Sequence, residues 1–347
     1  MALNATRLDE YTLAYNRSNL DAWEHRLSNY GVLATYQKDT PNLIPGYAEL
    51  VANRPQQLRT VRIPVINRKD VTTASSRTCS AIAHEITSTY VTPSWTTIKA
   101  GFNMRPAEYS LNHLAYQDAF NNKMTALQRT LAATLDTAGY TNINANNTLV
   151  YAADGNPYTL NGNLLDVPAA DNDLFVNEVG PIMLQDDYPG DGLNFITSPR
   201  FRAMLSEYGN QGAYNAENRS FQFAGHSFAF SNRVAVATGY RDTVFVAPPG
   251  SLAFLTAVDP DSRLGHSSSD GKQWSTMVLP LLGIEAGVMY QSTCADVATS
   301  GATIGTGFEA TLSESWMFSF DYSFNVAYNS ITGTYAGPVH QFGLSST

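Results

Sequence analysis

Between Trp316 and Tyr328 every second residue is aromatic or apolar: Trp316, Phe318, Phe320, Tyr322, Phe324, Val326 and Tyr328, set against Ser319, Asp321, Ser323 and Asn325. Side chains alternate across a β-strand, so an extended segment gathers this whole set on one side, whereas a helix would scatter it. The stripe therefore demands a sheet with a buried face. Carbohydrate binding or a membrane-barrel strand would also use such a stripe, but a barrel repeats it many times and here it is clear only once.

A second pattern has the helical period. Leu111, Leu114, Phe120, Met124, Leu127, Leu131, Leu135 and Ala138 fall mostly three or four residues apart, while Asp118, Lys123 and Gln128 point elsewhere. Ser110 or Asn112 caps the start and Gly139 is read as the stop. A helix over 111–138 is roughly 40 Å long. Ahead of it, Val61, Ile63 and Val65 alternate with Arg62 and Pro64, and the chain returns through Tyr90-Val91-Thr92-Pro93-Ser94-Trp95-Thr96-Thr97-Ile98. Residues 58–110 thus read as a long two-stranded arm. A lone hairpin is marginal in water, so this arm must lie on something else. Residues 1–57 form a leader with short amphipathic fragments (Leu20, Trp23, Leu27, Tyr30) and too few apolar residues for a core of its own.

The middle, 140–272, mixes helices and strands. Leu174 to Leu184 is helical or broken at Gly180-Pro181, and Ser198-Pro199 opens a helix with Pro at its first position. Phe221, Phe223, Phe228-Ala229-Phe230 and Thr243-Val244-Phe245-Val246-Ala247 suggest strands.

Charge divides the chain. Residues 1–110 hold 12 Lys/Arg and 9 Asp/Glu, residues 111–347 hold 9 and 21, and no Lys or Arg follows Lys272. Nucleic-acid binding needs clustered cations, so the acidic body argues against it. A basic front and an acidic rear instead complement each other between copies of one chain. Five of the six cations between Arg54 and Arg77 are Arg, the better residue for interface ion pairs. Cys79 and Cys294 are expected to be reduced and unpaired, as in a cytoplasm. No signal-peptide pattern and no spanning apolar run is seen.

Chemistry is absent from the motifs. Gly265 to Lys272 resembles a phosphate loop, but has one residue too many between its glycines and Gln273 where a Mg²⁺-binding hydroxyl belongs. His84-Glu85 lacks the later His of a zinc protease, and Gly225-His226-Ser227-Phe228-Ala229 lacks the second Gly of a nucleophile elbow. The six His stand singly, and neither Asp186-Asp187-Tyr188-Pro189-Gly190-Asp191 nor Asp259-Pro260-Asp261 carries the ligand ladder of a calcium loop. No catalytic residue, cofactor or metal is expected, and the chain is not read as an enzyme.

The order of elements (leader, basic hairpin arm, long helix, mixed lobe, closing strands) resembles the major capsid proteins of tailed bacteriophages, the Hong Kong 97 type fold. Gly225 to Asn232 followed by Thr243 to Leu252 is similar to their axial-domain strands, and Leu279 to Tyr290 to their long peripheral-domain strand. The resemblance implies an α+β fold with an N-terminal arm at 1–57, an E-loop at 58–110, a spine helix and first part of the peripheral domain at 111–149, an axial domain at 150–270, and the remaining peripheral domain and C-terminal strands at 271–347. It implies a structural protein that self-assembles into hexamers and pentamers, forming an icosahedral head around viral double-stranded DNA touched only by non-specific proximity. Synthesis and assembly would occur in the host bacterial cytoplasm, with no membrane and with separate scaffold, portal and decoration proteins as partners. Arg62, Arg68, Lys69 and Arg77 are the expected inter-subunit contacts, and Phe120, Met124, Leu127, Leu131 and Leu135 the helix-packing set. Two alternatives share features: an encapsulin-like cargo compartment, and a carbohydrate-binding tail or fibre protein.

Overall fold

The computed structural model describes residues 2–17, 30–44, 63–66, 88–106, 113–147, 157–172, 174–186, 188–209, 221–223, 225–265, 267–268, 271–298, 308–327 and 337–346. The fold is mixed α+β, with three sheets among the described residues. Helices α1 (Ala2–Arg17) and α2 (Gly31–Leu43) precede strands β1 (Ile63–Ile66), β2 (Ser88–Val91) and β3 (Thr96–Met104), and then α3 (His113–Ala145). Next come β4 (Thr159–Asn161), β5 (Leu164–Val167), α4 (Phe175–Gln185), β6 (Asn194–Thr197), α5 (Phe201–Gly209), β7 (Phe221–Phe223), β8 (His226–Phe230), β9 (Tyr240–Ala247) and β10 (Leu252–Ala257). The chain closes with α6 (Pro260–Leu264), β11 (Lys272–Leu279), β12 (Ile284–Ala298), β13 (Phe308–Val326) and β14 (His340–Ser345).

The aromatic stripe is the inner face of β13. Trp316, Phe318 and Phe320 are buried, and Phe120 of α3 meets Trp316 edge-on at 5.1 Å and Phe102 of β3 at 5.6 Å. This edge-to-face geometry is the favoured one for aromatic quadrupoles. The first sheet runs β10-β13-β12-β11, with β3 also paired to β13. Its opposite face is partly covered too: Asp321 is buried there and accepts a 2.5 Å hydrogen bond from Thr97 Oγ1. Tyr328 lies outside the described residues.

The long helix is longer than the sequence reading. α3 has 33 residues, about 50 Å at 1.5 Å each, and Gly139 does not end it. A Cβ at Gly139 would stand 3.1 Å from Val32 Cγ1 and 3.2 Å from a Phe324 ring carbon. The glycine serves close packing between α3, α2 and β13, not a helix stop. Phe120, Met124, Leu127, Leu131 and Leu135 are all buried in the first core.

The second sheet has the order β4-β5-β14-β9-β6-β8-β7, with parallel pairs β5/β14 and β6/β8. β9 is buried continuously from Asp242 to Ala247, because both faces of this sheet are covered. On one side α4 and α5 supply Phe175, Val176, Val179, Ile182, Met183, Phe201 and Leu205 against Phe195, Val244, Val246 and Phe342. On the other, Ile196 and Phe245 join the first core, where Tyr140 of α3 meets Phe245 at 6.0 Å. α4 runs unbroken through Gly180-Pro181. Ser198 Oγ accepts from Arg200 N–H, as a cap should, although α5 itself begins at Phe201.

The structure also draws three boundaries differently. Residues 96–104, read as part of the arm, are β3 of the first sheet, paired from Tyr322↔Thr96 to Glu314↔Met104. β10, read with the middle lobe, pairs with β13, whereas β14, read with the closing strands, completes the second sheet. Of the leader, the described helices α1 and α2 pack into the body. Val32, Leu33 and Tyr36 of α2 are fully buried in the first core, and α1 adds Leu8 and Tyr11.

Candidate intersubunit surface

β1 and β2 form a sheet of their own, antiparallel from Ile63↔Val91 to Ile66↔Ser88. Pro64, opposite Tyr90, has no N–H to donate, and proline is confined to strand edges. Among the described residues neither strand pairs with a third. A two-stranded ribbon that pairs only with itself is marginal in water.

Its base is fixed firmly. Trp95 and Leu43 pack against buried Ile44, Ala253 and Leu255, a small cluster separate from both main cores. Thr96 to Met104 then lock into the first sheet along β13. The body therefore holds the ribbon where β2 leads into β3, while among the described residues its strands pair only with each other. Arg62, Arg68, Lys69 and Arg77 lie outside the described residues, as do His84 and Glu85.

The body around the base is braced by buried carboxylates that sequence reading missed. Asp39 of α2 is buried and accepts three backbone N–H bonds, from Gly250 (2.7 Å), Ser251 (2.9 Å) and Leu252 (2.8 Å). Asp136 of α3 accepts from Leu33 N–H at 2.9 Å and from the Ser231 hydroxyl. Burial pushes the Asp136 carboxyl above the usual carboxylate range, against the opposing pull of those hydrogen bonds. At the first sheet, Arg7 of α1 donates to Glu314 at 2.6 Å and to the Tyr116 hydroxyl at 2.8 Å, while Tyr116 donates to Glu314. The Tyr116 phenol is pushed up by burial and by the Glu314 carboxylate. A lone buried acid that faces another element in space leaves no periodic trace in sequence.

No group of His, Cys, Asp and Glu able to hold a metal occurs among the described residues. His226 Nδ1 accepts from Leu193 N–H, and burial lowers its pKa. His340 is fully buried with Nε2 3.4 Å from Asp186, and burial lowers its pKa to about 4. Both are packed singly. Among the described residues no helix is long and apolar enough to cross a membrane.

No family model and no curated protein matches the chain. Solved structures do. A chain of Mycobacterium phage Bobi is 12% identical, covering 90% of this chain and 91% of that one, at a TM-score of 0.46. The mature capsid of bacteriophage PhiM1 gives 14% identity, 84% of each chain and 0.44. The capsid of cyanophage P-SCSP1u gives 9%, 84% and 85%, and 0.45. The chain is similar to proteins of phage capsids.

Proposed function

We propose that this protein is a shell subunit, the major capsid protein of a tailed phage head with a Hong Kong 97 type fold, and has a structural, not an enzymatic, role. The observation that carries the reading is the β1–β2 ribbon, tethered at Trp95 and, among the described residues, paired only with itself. A strand pair of this kind is stabilised when it lies across a larger surface, and a neighbouring copy supplies one in a closed symmetric assembly.

In this reading β1, β2 and the residues between them are the E-loop, and α3 is the spine. The first sheet with α1, α2 and α3 corresponds to the peripheral domain, and the second sheet with α4 and α5 to the axial domain that meets its copies around five- and six-fold axes. Arg62, Arg68, Lys69 and Arg77 would pair with acidic surface on the adjacent body, driven by opposite charge. The shell would enclose double-stranded DNA without specific contacts, after assembly with scaffold and portal in the host cytoplasm.

Expressing the chain alone and with a candidate scaffold tests this directly. Electron microscopy and light scattering should show closed shells built from hexamers and pentamers. A folded chain that stays monomeric under both conditions overturns the reading. Reversing charge at Arg68 and Lys69 should block assembly while the monomer stays folded.

A further inference from the structure

The aromatic face of β13 ends in an acid. Glu314 has the same parity as Trp316 and Phe318, which puts it on the core side of the first sheet, and it is 4% exposed. Arg7 of α1 donates to its carboxylate at 2.6 Å, and the hydroxyls of Tyr116 and Tyr290 donate to it as well. The same Arg7 nitrogen donates to the Tyr116 oxygen at 2.8 Å, and the guanidinium carbon stands over the Tyr116 ring, 4.4 Å from its centroid. Tyr290 in turn packs edge-on against buried Trp316 at 4.7 Å.

Helix α1 delivers this side chain. Leu8 and Tyr11 are buried in the first core, and Gln128 Nε2 donates to the Tyr11 hydroxyl at 2.6 Å while Gln128 Oε1 accepts from Leu281 N–H at 2.9 Å. Residues 7 and 11 lie one turn apart on the face turned to the body, whereas Asp9, Glu10 and Leu13 are exposed. Without Arg7 the carboxylate, buried between two phenols, loses its ion-pair partner, a costly state that favours uptake of another cation.

We infer that Glu314, Tyr116 and Tyr290 form a guanidinium-binding pocket, which α1 plugs with Arg7 and which takes a guanidinium group from solution once that side chain is gone. The pocket discriminates by shape. A planar guanidinium lies over the Tyr116 ring and still directs N–H groups to the carboxylate and the hydroxyl oxygen. An ammonium ion is a compact, strongly hydrated charge and gains less from a ring face beside a carboxylate. Helix α1 is thus a plug keyed by one side chain, and the ligand class of its seat is the arginine side chain. This inference goes beyond the shell reading and does not depend on it.

Arg7→Ala removes an ethylguanidinium fragment, so that cation is the probe. At about 50 mM, ethylguanidinium chloride should raise the melting temperature of the Arg7→Ala chain by about 2 °C or more over the value in equal ethylammonium chloride. Wild type, whose pocket is filled, and the double variant R7A/E314Q should show no such gain. Arg7→Lys should melt closer to Arg7→Ala than to wild type. For a variant that does not fold in buffer, refolding yield in the two salts is compared instead, and ethylguanidinium should raise that of Arg7→Ala about threefold. Equal effects of the two cations on Arg7→Ala overturn the inference. So does the same gain in wild type or in R7A/E314Q, or an Arg7→Lys chain that melts with wild type.

Discussion

The helix α2 and the ribbon β1–β2 lie next to each other in sequence, yet the molecule treats them oppositely. α2 is drawn into the body: Val32, Leu33 and Tyr36 are fully buried, and Asp39 satisfies three amides of the 250–252 turn. The ribbon is anchored at its base and, among the described residues, its strands pair only with each other. The difference lies in what each segment can satisfy within one chain. A short helix satisfies most of its own backbone and needs only one face covered. A two-stranded ribbon leaves two rows of amides and carbonyls open. One segment therefore completes the subunit, and the other, in the proposed shell, is completed by a second.

The sharpest way to break that contrast is to unlatch α2. Asp39→Ala leaves the buried N–H groups of Gly250, Ser251 and Leu252 without their acceptor, and should cost about 3–5 kcal/mol. Urea unfolding should show a lower midpoint at unchanged slope. A loss below about 1 kcal/mol would mean that α2 is an adhering arm after all.

A pH titration makes the next largest change. His340 is buried with its pKa lowered to about 4 from 6.5. Between those values the unfolded chain binds the proton and the folded one does not, so stability falls as pH drops from about 6.5 to 4. The loss approaches about 3 kcal/mol where Asp186 gives the imidazolium no help, and is smaller to the extent that it does. Asp136 and Asp242 have raised pKa values and act in the opposite direction, gaining stability as they take up protons. The comparison of wild type with His340→Phe isolates the imidazole: the variant should lack the acid-side loss in its melting temperature. Equal pH profiles would refute the assignment.

Removing the Arg7 side chain is a milder cut. Glu314 would lose its cation while keeping the Tyr116 hydroxyl, so Arg7→Ala should cost about 2 kcal/mol. Stability unchanged on this substitution would show that α1, unlike α2, adheres weakly.

Periodicity exposed the parts of this fold that a chain can satisfy along one element. The alternation from Trp316 to Phe324 and the helical spacing from Phe120 to Leu135 were legible because burial on a single face repeats in sequence. Gly139 misled, since a glycine required by Val32 and Phe324 looks the same in sequence as a helix terminator. Strand partnership was illegible as well: nothing in Thr96 to Met104 distinguishes the return strand of an arm from a strand laid along β13. The crossing of β10 into the first sheet and β14 into the second has the same cause, because pairing is decided by distant segments. Of the candidate surface, the basic arm was visible as charge.

The smallest effect on the fold should come from the ribbon itself. Replacing residues 67–87 by Asn-Gly keeps Ile63–Ile66 and Ser88–Val91 joined through a two-residue turn suited to hairpins. Since β1 and β2 pair with no part of either main sheet, the monomer should unfold within about 0.5 kcal/mol of the parent. The same truncation removes Arg68, Lys69 and Arg77 and should abolish shell formation. Asp39→Ala should show the reverse order, with stability lost before any question of assembly arises. A truncated ribbon that destabilises the monomer by several kcal/mol would place it, like α2, inside the subunit, because only contacts made within one chain can be lost from a monomer.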